Sequence, residues 1–321
     1  MDTKRDKRPD LKQFIIDTIV SGDGDVPLYL KIDDGNAHDK SVFVARIIKE
    51  FKNQWTFDGI CVADSALYTA ENLSAMAGMK WITRVPLSIK SARQKISAIE
   101  DKDWESAQIK GYKIAAITSE YANIKQRWIV VESDLRKQAA LKKIAQQVEK
   151  QLESASSSLR KLFRQEFACI ADAEIAIKRL SDTWKYHQIA EIEGREKPAK
   201  KTTSKQKLEN QTNPTVYQVT GQIETRLSVI EAEQIAAGRF ILATNILDTQ
   251  EVSDEQILLE YKAQQSNERG FRFIKDPLFF TSSVFVKNPE RVEAIGMIMG
   301  LCLLVYTRFA KEIETTLRSH Q

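Results

Sequence analysis

Residues 59–64 read GICVAD, from Gly59 to Asp64. A short continuous apolar run of this kind belongs to a strand covered on both faces, because a strand with one wet face alternates apolar and polar residues instead. Upstream, Pro27 to Ile32 (PLYLKI) reads as a strand ended by the turn Asp33-Asp34-Gly35-Asn36. Asp39 is then placed to cap a helix from Ser41 to Phe51, with Phe43, Ile47, Ile48 and Phe51 on one face. Downstream, a helix around Glu71 to Met79 and a strand from Trp81 to Val85 complete a β-α-β-α-β pattern, which predicts a parallel α/β sheet.

Beyond residue 100 the character changes. Gly111 to Thr118 and Arg127 to Glu132 predict a hairpin, followed by a long charged helix from Asp134 to Phe163, exposed over most of its surface. A second helix is expected at Asp172 to Trp184, a strand at Tyr186 to Ile192, and a Lys/Thr/Ser/Gln linker at Glu196 to Asn213. Strands resume at Val216 to Glu224 and Gly238 to Asn245, with helical spacing from Asp254 to Gly270; Asn288-Pro289 opens a final helix from Glu290 to about Leu317. The expected organisation is one α/β core, residues 1–100 and 238–321, interrupted by a mixed insertion at 101–237. In the last helix, Ala294 to Tyr306 is apolar but bracketed by Glu293 and Arg308. That is shorter than the ~20 residues of a bilayer span, so a buried core helix and no membrane contact are expected.

Composition removes several classes of chemistry. Glycine-rich phosphate loops and a G-x-S-x-G elbow are both missing. Cys61, Cys169 and Cys302 form no disulfide or zinc spacing, which suits a reducing, cytoplasmic setting. The basic start MDTKRDKRPDLKQF has no apolar stretch behind it, so no secretory signal is expected. His38, His187 and His320 are scattered, and His187 reads as an ordinary half-buried strand residue. Trp104, Trp128 and Trp184 read as core rather than as platforms for flipped bases. A net charge of +4 permits nucleic acid without demanding it, with local clusters at Lys4 to Lys12 and Lys197 to Lys207. Carboxylate chemistry remains. Asp64 stands at the tip of a central strand, where open α/β sheets place functional groups, although many such residues only cap the next turn.

The specific signal is Tyr261-Lys262-Ala263-Gln264-Gln265-Ser266-Asn267-Glu268, continued by Arg269 to Lys275 (RGFRFIK). It resembles the Y-x2-R-x3-E-x6-K signature of DDE insertion-sequence transposases. Tyr261, Glu268 and Lys275 match, and Gln264 replaces the arginine. The segments RPDLKQF, DGNAHDK, VADSALYTAENL and GRFILATN resemble the same group, so the resemblance covers nearly the whole chain.

The resemblance implies an RNase H-like α/β core, a mixed sheet with flanking helices, and a transposase that cleaves and joins double-stranded DNA at element ends and target. Asp64 would be the second catalytic, metal-binding carboxylate and Glu268 the third. Tyr261, Gln264 and Lys275 fall at DNA-contacting positions, Gln264 without the charge. Two Mg²⁺ (or Mn²⁺) ions, about 3.5 to 4 Å apart, serve such chemistry. These hard ions take oxygen ligands and need no His or Cys, which suits this histidine-poor chain. A homo-oligomer on DNA is expected. The first carboxylate should lie on a strand before RPDLKQF, and Asp2 and Asp6 are too close to that segment to supply it. A truncated, inactive copy is therefore expected. Two alternatives remain: a non-catalytic DNA-binding or oligomerising remnant that interferes with active transposase, and a metal-dependent nuclease recruiting Asp33 or Asp34.

Overall fold

The computed structural model describes residues 14–22, 26–34, 47–51, 53, 58–198, 215–264 and 288–319. Its strands are β1 (Phe14–Val20), β2 (Pro27–Asp34), β3 (Ile60–Ala63), β4 (Lys80–Val85), β5 (Glu105–Ser106), β6 (Tyr112–Tyr121), β7 (Ile124–Ser133), β8 (His187–Pro198), β9 (Thr215–Thr225) and β10 (Arg239–Thr244). The helices are α1 (Ala70–Ala75), α2 (Lys90–Ser97), α3 (Asp134–Leu162), α4 (Ile170–Asp182), α5 (Leu227–Ala236), α6 (Asp254–Ala263) and α7 (Pro289–Ser319). Contacts divide the chain into two units, one of residues 1–95, 99–131 and 240–321, the other of residues 96–98 and 132–239.

The first unit holds a six-stranded mixed sheet in the order β3-β4-β10-β7-β6-β5. The α1 crossover makes β3 and β4 parallel, from Ile60 opposite Lys80 to Ala63 opposite Thr83, while β10 runs antiparallel to β4. Its core joins Ile82, Ile129, Val131, Leu242, Ile257 and Leu258, all fully buried. The β6–β7 hairpin belongs to this sheet, although the sequence groups it with the insertion.

The expectation that PLYLKI lies in the same parallel sheet is corrected. β2 instead pairs antiparallel with β1, a strand the sequence reading did not assign, as a separate two-stranded ribbon. The short connection between them reverses the chain, and that permits only an antiparallel neighbour. Alternation along β2 divides its contacts between two helical elements. Tyr29 and Lys31 bond Glu50 at 2.6 and 2.9 Å, next to the buried Ile47, Ile48 and Phe51. Ile32 and Leu30 meet α7 at Gly296 and Gly300, where an added Cβ would collide with them, so the helix approaches the ribbon closely only through glycines.

A second correction concerns α7, which sequence predicts as a buried core helix. Leu303 and Thr307 are buried, but Met297 is 61% exposed, Ile298 59%, Leu301 53%, Val305 55% and Phe309 62%. A ribbon only two strands wide covers one side of a helix and leaves the other uncovered. Among the described residues this is the one helix whose length and composition would suit a membrane crossing.

In the second unit α3 and α4 pack on the β8–β9 ribbon around Ala155, Leu159, Leu162, Ala173, Ile177, Trp184, Ile189 and Val219. A bulge between Ala190 and Glu193 places Glu191 at φ 51°, in the left-handed region. The expected linker is shorter than predicted, since Glu196 to Pro198 continue β8; residues 199–214 lie outside the described ones. His187 is fully buried rather than half-buried, with Nδ1 3.4 Å from Gln151 Oε1, and burial lowers its pKa. Trp128 and Trp184 are buried as expected, and Trp104 is partly exposed.

Candidate functional site

Asp64 follows the last residue of β3 and is exposed. Its backbone is extended and its Oδ1 accepts from the Ala66 N–H at 2.9 Å, capping the 3-10 turn Ser65–Leu67. Its carbonyl oxygen accepts from Thr83 Oγ1 at 2.7 Å, and Thr83 is fully buried on β4. The main chain is thus fixed to the sheet while one carboxylate oxygen carries a single weakly competing bond. Behind it, Tyr68 stacks on Tyr121 at 4.9 Å and donates to Gln126 Oε1 at 2.6 Å; Trp128 Nε1 donates to the same oxygen at 2.9 Å. Burial pushes the Tyr68 phenol well up, and burial also raises the Cys61 thiol to about 11, so neither is an anionic group near neutral pH.

α6 packs on β3, β4 and β6. Ser253 opens it in a capping box with Gln256. Its approach is marked by the Glu251–Lys80 ion pair at 2.7 Å, at the start of β4. Its far end is marked by Tyr261, whose ring lies 6.2 Å from Phe240, and Phe240 lies under the Arg84 guanidinium near the end of β4. The helix therefore runs along the sheet toward the edge where β3 and β4 finish. Because Ala63 is opposite Thr83, that is the edge on which Asp64 stands.

A family model described as the transposase DDE domain matches residues 3–305. The chain belongs to the DDE-domain transposase family. Its general function is that of a transposase, an enzyme acting on DNA, and its mixed α/β sheet with flanking helices fits the RNase H-like fold of that family. No curated protein and no solved structure matches it.

DDE transposases use divalent metal ions. Among the described residues no group of three His, Cys, Asp or Glu side chains is gathered to hold one. Asp64 is chemically suited as a hard oxygen ligand, but one carboxylate does not cage a pair of Mg²⁺ ions, so the described residues alone do not make the centre. Glu268 and Lys275 lie outside the described residues, as do Asp2, Asp6 and the Lys4 to Lys12 cluster. Asp33 and Asp34 are the last residues of β2. Tyr261 is half-buried against the sheet core, and Gln264 ends α6 as its C-cap.

Sequence reasoning missed the groups that brace this region. Arg127, buried on β7, donates to the Val252 carbonyl at 2.5 Å and pairs with Asp254 at 3.2 Å, tying the central strand to the start of α6. Burial outweighs Arg127 and holds the Asp254 pKa above its ordinary value. A charged residue inside the run RWIVV was the available signal, since a buried strand carries Arg only beside a partner.

Proposed function

We propose that Asp64 and Glu268 are two of the carboxylates of a metal-dependent DNA-cleaving and strand-transfer centre. The observation that supports it is the course of α6, whose C-terminal end and Asp64 share one edge of the sheet. Glu268 follows four residues after the C-cap Gln264 in sequence, at the position of the family signature. When bound, two Mg²⁺ or Mn²⁺ ions would supply activation of the attacking oxygen and stabilisation of the leaving one. The protein's own part is to hold Asp64 rigidly, through Thr83 and the Ala66 N–H, and to bring DNA phosphates alongside through Tyr261, Gln264 and Lys275. The setting is cytoplasmic, and the working form is a homo-oligomer on the DNA of element ends and target.

That no group of three metal-binding side chains is gathered among the described residues favours a second reading, a non-catalytic DNA-binding or oligomerising remnant that interferes with active copies. The test is cleavage of DNA carrying the element's ends, in Mg²⁺ and in Mn²⁺. The chain should bind that DNA in a salt-sensitive way. Cutting should be abolished by Asp64→Asn and by Glu268→Gln, and cutting that survives both would overturn the assignment. Cutting that also requires Asp33 or Asp34 would favour the nuclease, and binding without cutting would favour the remnant.

A further inference from the structure

Arg84 follows Thr83 on β4 as Asp64 follows Ala63 on β3. The parallel register that sets Ala63 opposite Thr83 therefore brings Asp64 and Arg84 side by side, with their backbones about 4.8 Å apart. The extended backbone of Asp64, φ −74° and ψ −175°, continues the strand for that one step. Both positions belong to the face that α6 covers. Ile60 and Val62 pack with Ile82 in the core that also holds Ile257 and Leu258 of α6, and Asp64 and Arg84 come next in the same alternation. The guanidinium of Arg84 lies over the Phe240 ring, 5.5 Å from its centroid, and Phe240 lies 6.2 Å from the ring of Tyr261.

An arginine held in this way lacks what its chemistry requires. Arg84 is half-buried, and among the described residues no carboxylate and no carbonyl meets its N–H donors. Asp64 stands beside it without pairing, its Oδ1 taken by the Ala66 N–H. Stacking on Phe240 occupies only the flat face of the guanidinium and leaves the donor edge open. A planar fork with no acceptor, next to a strand-tip carboxylate, fits the two non-bridging oxygens of a phosphodiester. The end of α6 brings no rival charge to this edge, since its one basic residue, Lys262, lies over the Tyr112 ring of β6 at 4.0 Å and its C-cap Gln264 is neutral. We propose that Arg84 binds the DNA phosphate at which the strand is cut, gripping both non-bridging oxygens while Phe240 sets the plane of the grip. The proposal rests on the reading of Asp64 as a carboxylate of the cleaving centre. A lysine on its flexible stem would supply the charge without the orientation.

The test is fluorescence anisotropy of the full chain on a labelled duplex carrying the element's end, in EDTA so that nothing is cut, with single phosphates replaced in turn by neutral methylphosphonate. At the cut junction the replacement should weaken wild-type binding about tenfold, the scale of losing a charge-assisted hydrogen-bond pair. In Arg84→Gln the same replacement should hardly change binding, and the slope of log affinity against log salt should fall by about 0.9, one phosphate's share. Arg84→Lys should keep the wild-type slope and recover only part of the junction penalty. Both variants should melt with wild type. A junction penalty undiminished in Arg84→Gln, coupling of Arg84 to a phosphate elsewhere in the duplex, or unfolding of both variants would overturn the proposal. Failure of the catalytic reading has a different signature: cutting would persist in Asp64→Asn, a variant that should leave the coupling between Arg84 and the junction phosphate as it is.

Discussion

Two carboxylates at strand ends, Asp64 in the first unit and Glu132 in the second, are built in opposite ways. Glu132 is 5% exposed, with Lys137 Nζ 2.9 Å from Oε1 and Arg239 Nε 2.8 Å from Oε2. Arg239 is itself held, donating from Nη1 to the Ile96 carbonyl at 3.0 Å. Both oxygens of Glu132 are committed to cations, so it cannot ligate an ion without leaving buried charge unpaired. Asp64 is exposed and commits one oxygen to a backbone N–H. A buried, saturated carboxylate is a structural brace; an exposed one on a rigid strand tip is free to act. Conversely, removing Glu132 should harm folding and removing Asp64 should harm only chemistry.

The sharpest way to break that contrast is activity. Asp64→Asn should lower DNA cleavage by about a thousandfold or more, the scale of losing a group that stabilises charge in the transition state. Its melting temperature should barely move, because Asn caps a turn as well as Asp does. Glu132→Gln should retain cleavage wherever it is folded. Reversed outcomes in the single-turnover assay would dissolve the distinction.

Stability supplies the next effect. Glu132→Gln leaves Arg239 facing a neutral group, and breaking a buried pair costs about 3 kcal/mol; urea denaturation should show that loss, and less than about 0.5 kcal/mol for Asp64→Asn. Acid titration sharpens this further. Burial by itself would raise the Glu132 pKa, but hydrogen bonds and attraction from Lys137 and Arg239 outweigh it and hold the carboxyl below its ordinary value. A depressed folded pKa means that the stabilisation is complete above the unfolded value of about 4.3 and is lost as pH falls through the folded one. Wild type should therefore lose stability more steeply below about pH 4.3 than Glu132→Gln does, as followed by denaturation at stepped pH.

The smallest expected effect is that of metal on folding. Two carboxylates are a poor cage, so millimolar Mg²⁺ or Mn²⁺ should stabilise the 321-residue chain by about 1 kcal/mol or less. Asp64→Asn or Glu268→Gln should erase that shift. A shift that survives both places the ions elsewhere.

Much of the first unit is legible in the sequence because its signals are local. GICVA is uninterrupted and apolar, the α1 crossover is short, and GRFILATN has the same buried-strand composition. What is not legible depends on partners distant in the chain. The pairing of PLYLKI with Phe14–Val20 rather than with the main sheet is set by the turn between them. The exposure of α7 follows from the narrowness of the ribbon beneath Gly296 and Gly300, which no periodicity in Ala294 to Tyr306 encodes. Asp64 was readable as a strand tip, whereas its anchoring by Thr83 required the parallel register of β3 and β4. Glu132, at the end of RWIVVE, carries no local mark separating it from a surface carboxylate; its partners Lys137 and Arg239 define it.

The central claim is that Asp64 and Glu268 approach one another closely enough to share an ion pair, within roughly 10 Å. Fe²⁺ admitted in place of Mg²⁺, with ascorbate and peroxide, cuts the polypeptide backbone beside the residues that hold it. The folded chain should yield fragments ending near both Asp64 and Glu268, suppressed together by excess Mg²⁺ and by Asp64→Asn or Glu268→Gln. Fragments at one of the two positions without the other, or cuts that persist in both variants, would contradict the shared site.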